Sequence, residues 1–189
     1  MEIIKQGEIL TMLVVSNNQK INGDGNYQAG RDINININGD NAIQFYEDDL
    51  KELICSFSDI VENLEPNDLN DFYSPEIEVK NKINNLSDSY FQYMKENSLP
   101  YFYQIKTFLQ DVKNKDIQEL YGRIANELNY KIAIFKNDFE SFDKILNALY
   151  DYVINKKDSK FNEKRNLLII FLNFMYWNCD IGEKYDKTK

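Results

Sequence analysis

Three groups of side chains in this 189-residue chain are of types that do chemistry. Glu47, Asp48 and Asp49 are consecutive carboxylates, the material of general acid–base work or of a divalent-metal site. Asn22, Asp24, Asn26 and Gln28 alternate oxygen-bearing side chains, as a calcium loop does. Gly23, Gly25 and Gly30 form a glycine-rich stretch of the sort that lets backbone approach a phosphate. Spacing argues against each. The oxygen-bearing run fits no calcium-loop register and lacks a bidentate Glu. The glycines have no βαβ context before them, no phosphate-cradling lysine motif occurs, and turns explain them. The acidic trio precedes an amphipathic stretch, where negative charge is favoured by the helix macrodipole. The chain contains no histidine, which removes Ser-His-Asp and Cys-His catalysis and imidazole metal sites. Cys55 and Cys179 lie far apart in apolar helical patterns and read as buried thiols of a reducing compartment. The expectation is a non-enzymatic protein with no catalytic residues, no metal and no cofactor.

The chain is 43% hydrophobic and 14% aromatic, enough to close a core, and its formal net charge is -9. That charge repels phosphate backbones, and the short basic runs at 113–115 and 156–165 sit among acids, so nucleic-acid binding is not expected. The N-terminal residues lack a basic region followed by a long apolar one, which argues against a signal peptide, and Met12 is an alternative start. The longest apolar run, Leu167 to Trp177, is far short of the roughly 20 residues of a membrane span. A cytoplasmic protein without membrane contact is expected.

These residues need elements to position them, and the chain has two periods. From Ile33 to Ile37 isoleucine and asparagine alternate strictly, a strand with one apolar face. Ile21-Asn22-Gly23-Asp24 returns as Ile37-Asn38-Gly39-Asp40, with Asn-Gly corners suited to tight turns. Two such units bury too little to stand alone. Copies of the same segment would cover them, so Ile21, Tyr27, Ile33, Ile35, Ile37 and Ile43 are expected to be oligomerisation residues, with a hairpin folded back on the helices as the competing arrangement.

After Gln44 the period becomes helical. Leu50, Leu53, Ile54, Phe57, Ile60, Val61 and Leu64 form one stripe, ended by Glu65-Pro66. Ser74 and Pro75 open a helix expected to run to about Asn97. A shorter helix is expected from Pro100 to about Lys113. Asp116 with Glu119 reads as a capping box for the next. Another starts near Asp138, and a last one, apolar on nearly every side, runs from about Asn162 to Cys179 with Gly182 as its C-terminal cap. The fold class is mainly α: an N-terminal extension (1–18), a small strand-rich β segment, solenoid-like or hairpin (19–46), a C-terminal helical bundle (47–182) and a tail (183–189).

The last helix ends in Met175, Tyr176, Trp177, Asn178, Cys179, Asp180, Ile181 and Gly182. This ending, with the stretch from Phe139 to Tyr152 before it, resembles the C-terminal helical domains of bacterial ABC-three-component conflict systems. Ile21 to Ile35 is similar to a glycine-asparagine segment found ahead of such domains and in other defence proteins. The resemblance implies an anti-phage setting in which an ABC-type ATPase and a small middle component are partners, and it makes Met175, Tyr176, Trp177, Asn178, Cys179, Asp180 and Gly182 the signature of the helical domain. It also implies an effector domain ahead of the helices, and nothing of effector size precedes Ile21. The expectation is therefore a bare assembly module that forms a homo-oligomer through its β segment and docks a partner through its helices. The alternative is a nucleic-acid-binding or phage-related regulator, against which the acidic charge counts.

Overall fold

Ten of the thirteen residues from Arg165 to Trp177 are buried, so this helix needs neighbours on almost every side. The computed structural model describes residues 43–61, 66, 75–155 and 161–184, which belong to a unit spanning Ala42–Lys189. Among the described residues there is helix and no strand. The elements are α1 (Glu47–Ile60), α2 (Pro75–Ile83), α3 (Asp88–Asn97), α4 (Phe102–Gln110), α5 (Lys115–Phe135), α6 (Phe142–Ile154) and α7 (Arg165–Trp177). Short 3-10 turns lead into α4, α5 and α7.

Helix α7 packs against α1, α4 and α6, while α5 covers α1 and α4. The aromatic residues of the sequence are what fill the joints. Phe57 of α1 stands edge-on to Phe108 of α4 at 5.2 Å and to Phe171 of α7 at 5.1 Å. Phe142 of α6 meets Tyr176 at 4.7 Å between ring centroids. Such offset geometries suit the ring quadrupoles and bury large areas.

The helical body begins earlier than its hydrophobic stripe suggests. Ile43 and Phe45, grouped by the sequence with the segment ending at residue 46, are 4% and 6% exposed and belong to the core. Phe45 packs on Tyr152 of α6, with ring centroids 5.3 Å apart. Ile43 therefore fills a site in the bundle. The other five residues expected to oligomerise, residues 19–42 of the expected strand-rich segment, Leu64 and the Ser74 cap lie outside the described residues.

Several helix limits differ from those the sequence suggests, each for a local reason. The single helix expected from Pro75 to Asn97 is two, because Asn85 takes a left-handed φ of 51° and closes α2 in a Schellman turn. Leu86 N–H donates to the Asn81 carbonyl and Asn85 N–H to that of Lys82, and Ser87 then caps α3 by accepting from Tyr90 N–H. The capping box at Asp116 and Glu119 does not form. Asp111 instead accepts from Lys113 N–H and starts a 3-10 turn that feeds α5 at Lys115. The cap of α7 is not Gly182 but Cys179, whose φ is 62°. Asp180 N–H reaches the Met175 carbonyl at 2.9 Å and Cys179 N–H that of Tyr176 at 3.1 Å, the same Schellman pattern. Gly182, with φ of 83°, serves the turn beyond.

The C-terminal signature clasp

The signature residues divide at the helix end. Met175, Tyr176 and Trp177 are core, Asn178 is exposed, and Cys179, Asp180 and Gly182 are half-buried in the turn that follows. Ile181 is fully buried. It anchors a short irregular stretch, Asp180 to Glu183, whose backbone lies outside any helix and so needs partners for its polar groups.

The Asp180 and Ile181 N–H groups turn back to the Met175 carbonyl, and the other partners are side chains from α2, from Asn84 just after it and from α5. Lys80 donates from Nζ to the carbonyls of Tyr176 and of Ile181, the latter at 2.7 Å, and stands 4.1 Å from the centroid of the Tyr176 ring. Asn129 of α5 donates to the Asp180 carbonyl and accepts from Gly182 N–H at 3.0 Å. Asn84 donates to the Glu183 carbonyl at 2.8 Å and accepts from Glu183 N–H at 2.9 Å. Each asparagine thus presents one donor and one acceptor to the stretch, as a neighbouring strand would. Tyr121 of α5 donates to the Asp180 carboxylate, and Asn178 donates to the same oxygen at 2.8 Å. Lys136 pairs with Glu183 at the outer end.

The electrostatics follow from burial. Lys80 is 1% exposed, and desolvation lowers its ammonium from 10.5 to about 8 against the opposing pull of Cys179 and Asp180. Burial raises the Tyr121 phenol far above its ordinary value, and the Asp180 carboxylate adds to this. Burial also raises Tyr176 and Tyr90. A second buried chain of polar groups links α3 to the middle of α7: Tyr90 donates to Asn173 Oδ1 at 3.0 Å, and Asn173 Nδ2 donates to Ser98 Oγ at 2.8 Å.

Chemically, this arrangement holds backbone. Its lysine, asparagines and phenols are all engaged in fixing the end of α7. Among the described residues no buried polar side-chain atom lacks a partner, and no three His, Cys, Asp or Glu side chains are grouped to hold a metal. Glu47, Asp48 and Asp49 occupy the first turn of α1. Asp48 pairs with Lys51 at 3.4 Å, and Asp49 lies 4.0 Å from Arg123. No helix among the described residues is long and apolar enough to cross a membrane. Sequence reasoning singled out residues 175–182 but missed Lys80, Asn84 and Asn129, which bond the turn after α7. In α2 the pair Val79 and Ile83 marks an apolar side, yet Val79 is exposed and Lys80 buried. A lysine on a short polar helix carries no signal that separates a buried ammonium from a solvated one.

Among the described residues the chain is an all-α bundle whose buried polar groups bond the turn after α7 and one another. Residues 39–182 match the family described as C-terminal domain 12 of the ABC-three component (ABC-3C) systems, and the chain belongs to that family. No curated protein and no solved structure matches it. As a C-terminal domain of these anti-phage systems it is a non-enzymatic module. Membership places it beside the systems' other components, an ABC-type ATPase and a middle protein.

Proposed function

We propose that the chain is the assembly component of its system: it self-associates through the segment before the helices and docks the middle protein or the ATPase through the helical body. Self-association rests on the alternation from Ile33 to Ile37, which gives a strand an apolar face in need of cover. Ile43 is committed to the bundle core, so Ile21, Tyr27, Ile33, Ile35 and Ile37 carry the contact between copies. Fully burying each isoleucine is worth about 1.5 to 3 kcal/mol, which favours symmetric copies over an exposed strand.

Docking rests on one observation above the others. The turn after α7, where the expected signature ends, is bonded within the chain by Lys80, Asn84, Asn129 and Tyr121, which supports recognition through the outer faces of the helices. A rigid body presents its surface without an ordering cost at binding. Co-expression with the ABC-type ATPase and the middle protein tests both halves. The full chain should co-purify with one of them as several copies, and Ile33→Asp combined with Ile35→Asp should co-purify as a single copy. A chain that captures neither component refutes the docking half, and an unchanged copy number in the double variant refutes the other.

A further inference from the structure

A cavity of about 580 Å³ lies where α2 turns into α3, a size within the range of small-molecule sites. Asn81 and Lys82 wall it from α2, and Leu86, Asp88 and Phe91 from the turn and α3. Asn81 is the informative residue. It is only 8% exposed, and its Oδ1 accepts from the Tyr176 hydroxyl at 3.0 Å. Its Nδ2 has no partner among the described residues. No enclosed side-chain nitrogen or oxygen among these residues lacks a partner, so Nδ2 is not enclosed, and the cavity is where it emerges. An amide donor at the bottom of a cavity, with its oxygen fixed on the other side, is satisfied by an acceptor on a ligand.

We infer that the cavity binds a small zwitterion, a free α-amino acid or dipeptide with an apolar side chain. The walls carry both signs of charge. Lys82 and the Asn81 amide are donors for a carboxylate, while Asp88 and Glu78 are acceptors for an ammonium. Asn85 adds a further acceptor, because its Nδ2 is already spent on the Glu140 carbonyl at 2.6 Å and its oxygen is left for the ligand. A simple anion would meet two carboxylates, and a simple cation would meet Lys82 and an amide donor. A ligand with both charges meets neither obstacle. Leu86 and Phe91 supply apolar wall for its side chain. The Phe91 ring is covered by Trp177, stacked at 5.4 Å, and by the Lys95 ammonium at 4.6 Å, which leaves little face for a nucleobase to stack on.

Trp177, the single tryptophan of the chain, packs on Phe91 and so reports on the cavity. Fluorescence titration of the full chain with L-leucine and with the dipeptide of two leucines, checked by isothermal calorimetry, tests the inference. At least one of these zwitterions should bind. Its N-acetyl form, which lacks the ammonium, and its amide, which lacks the carboxylate, should each bind about tenfold or more weakly. Asn81→Asp keeps an acceptor for Tyr176 but loses the donor, and should weaken binding by about as much. Asp88→Asn, at the exposed start of α3, should narrow the gap between the zwitterion and its N-acetyl form while far-UV circular dichroism stays unchanged. Neither heat nor a fluorescence change with either zwitterion overturns the inference. Binding that is indifferent to acetylation and amidation overturns it as well, and would mark the cavity as a seat for the internal backbone of a partner protein.

Discussion

Replacing Lys80 with methionine tests whether the clasp is held by a buried ammonium. The side chain is 1% exposed and donates to the carbonyls of Tyr176 and Ile181. Methionine has similar volume but no donor, so the buried Ile181 carbonyl loses its donor at about 1 to 3 kcal/mol, while the Tyr176 carbonyl keeps the Cys179 N–H. Against that loss, the variant no longer buries a charge. Desolvation lowers Lys80 from 10.5 to about 8. At about 1.4 kcal/mol per pH unit, the ammonium therefore costs about 3 kcal/mol near neutrality. The two effects oppose one another, and at about pH 7 the substitution shifts stability by no more than about 3 kcal/mol in either direction. The pH dependence is sharper. Because the folded value lies below the unfolded one, the unfolded chain binds more protons between them, and this lysine makes stability rise with pH across that window. Between about pH 8 and about pH 10 the wild type should gain about 2 to 3 kcal/mol on the variant. Tyr90, Tyr121 and Tyr176 are common to both chains and largely cancel. Their raised values give stability that is present below about pH 10, where the phenols are protonated in both states, and lost as pH rises further. Urea unfolding followed by far-UV circular dichroism across the range measures the difference. A wild-type advantage that stays flat from about pH 7 to about pH 10 would show an ordinary, hydrated lysine and refute the buried clasp.

The other expectations concern the same helix and its end. Phe171→Ala removes a fully buried ring from between α7 and Phe57 and should cost about 3 to 5 kcal/mol in the same unfolding assay. Asp180→Ala takes the acceptor from the buried Tyr121 hydroxyl, costing about 1 to 3 kcal/mol. It should also let Tyr121 ionise at lower pH in a spectrophotometric titration, because the carboxylate now raises it. Cys179→Gly should stabilise the protein by up to about 1 kcal/mol, since the residue sits at φ of 62° where a Cβ is strained. A thermal midpoint that falls for this variant would place the cost elsewhere in the turn.

The helices were legible because their signals are periodic. Leu50, Leu53, Ile54 and Phe57 repeat on one side of α1, and the uniformly apolar α7 can only be central. The break at Asn85 was less visible, because asparagine tolerates both helix and left-handed turn and only the following Leu-Ser pair tips the balance. Glu119 with Asp116 had the spacing of a capping box, yet Asp111 won by capping an earlier turn. Boundaries of this kind are decided by which of two nearby side chains reaches an orphan N–H first. Residues 175–182 stood out as a pattern of residue types, and the bonds that hold their turn did not. Lys80, Asn84 and Asn129 lie 96, 99 and 51 residues from the backbone groups they hold, too far apart in sequence for periodicity to connect them.

The central claim is that this domain assembles with itself and then carries a partner of its system. Sedimentation velocity of the full chain and of the Ile33→Asp/Ile35→Asp chain, each alone and mixed with the middle protein, addresses both parts in one measurement. The full chain should sediment as a homo-oligomer that grows heavier with the middle protein, and the variant as a folded monomer that still gains mass on mixing. A full chain that sediments as a monomer and is unchanged by the middle protein would contradict the account.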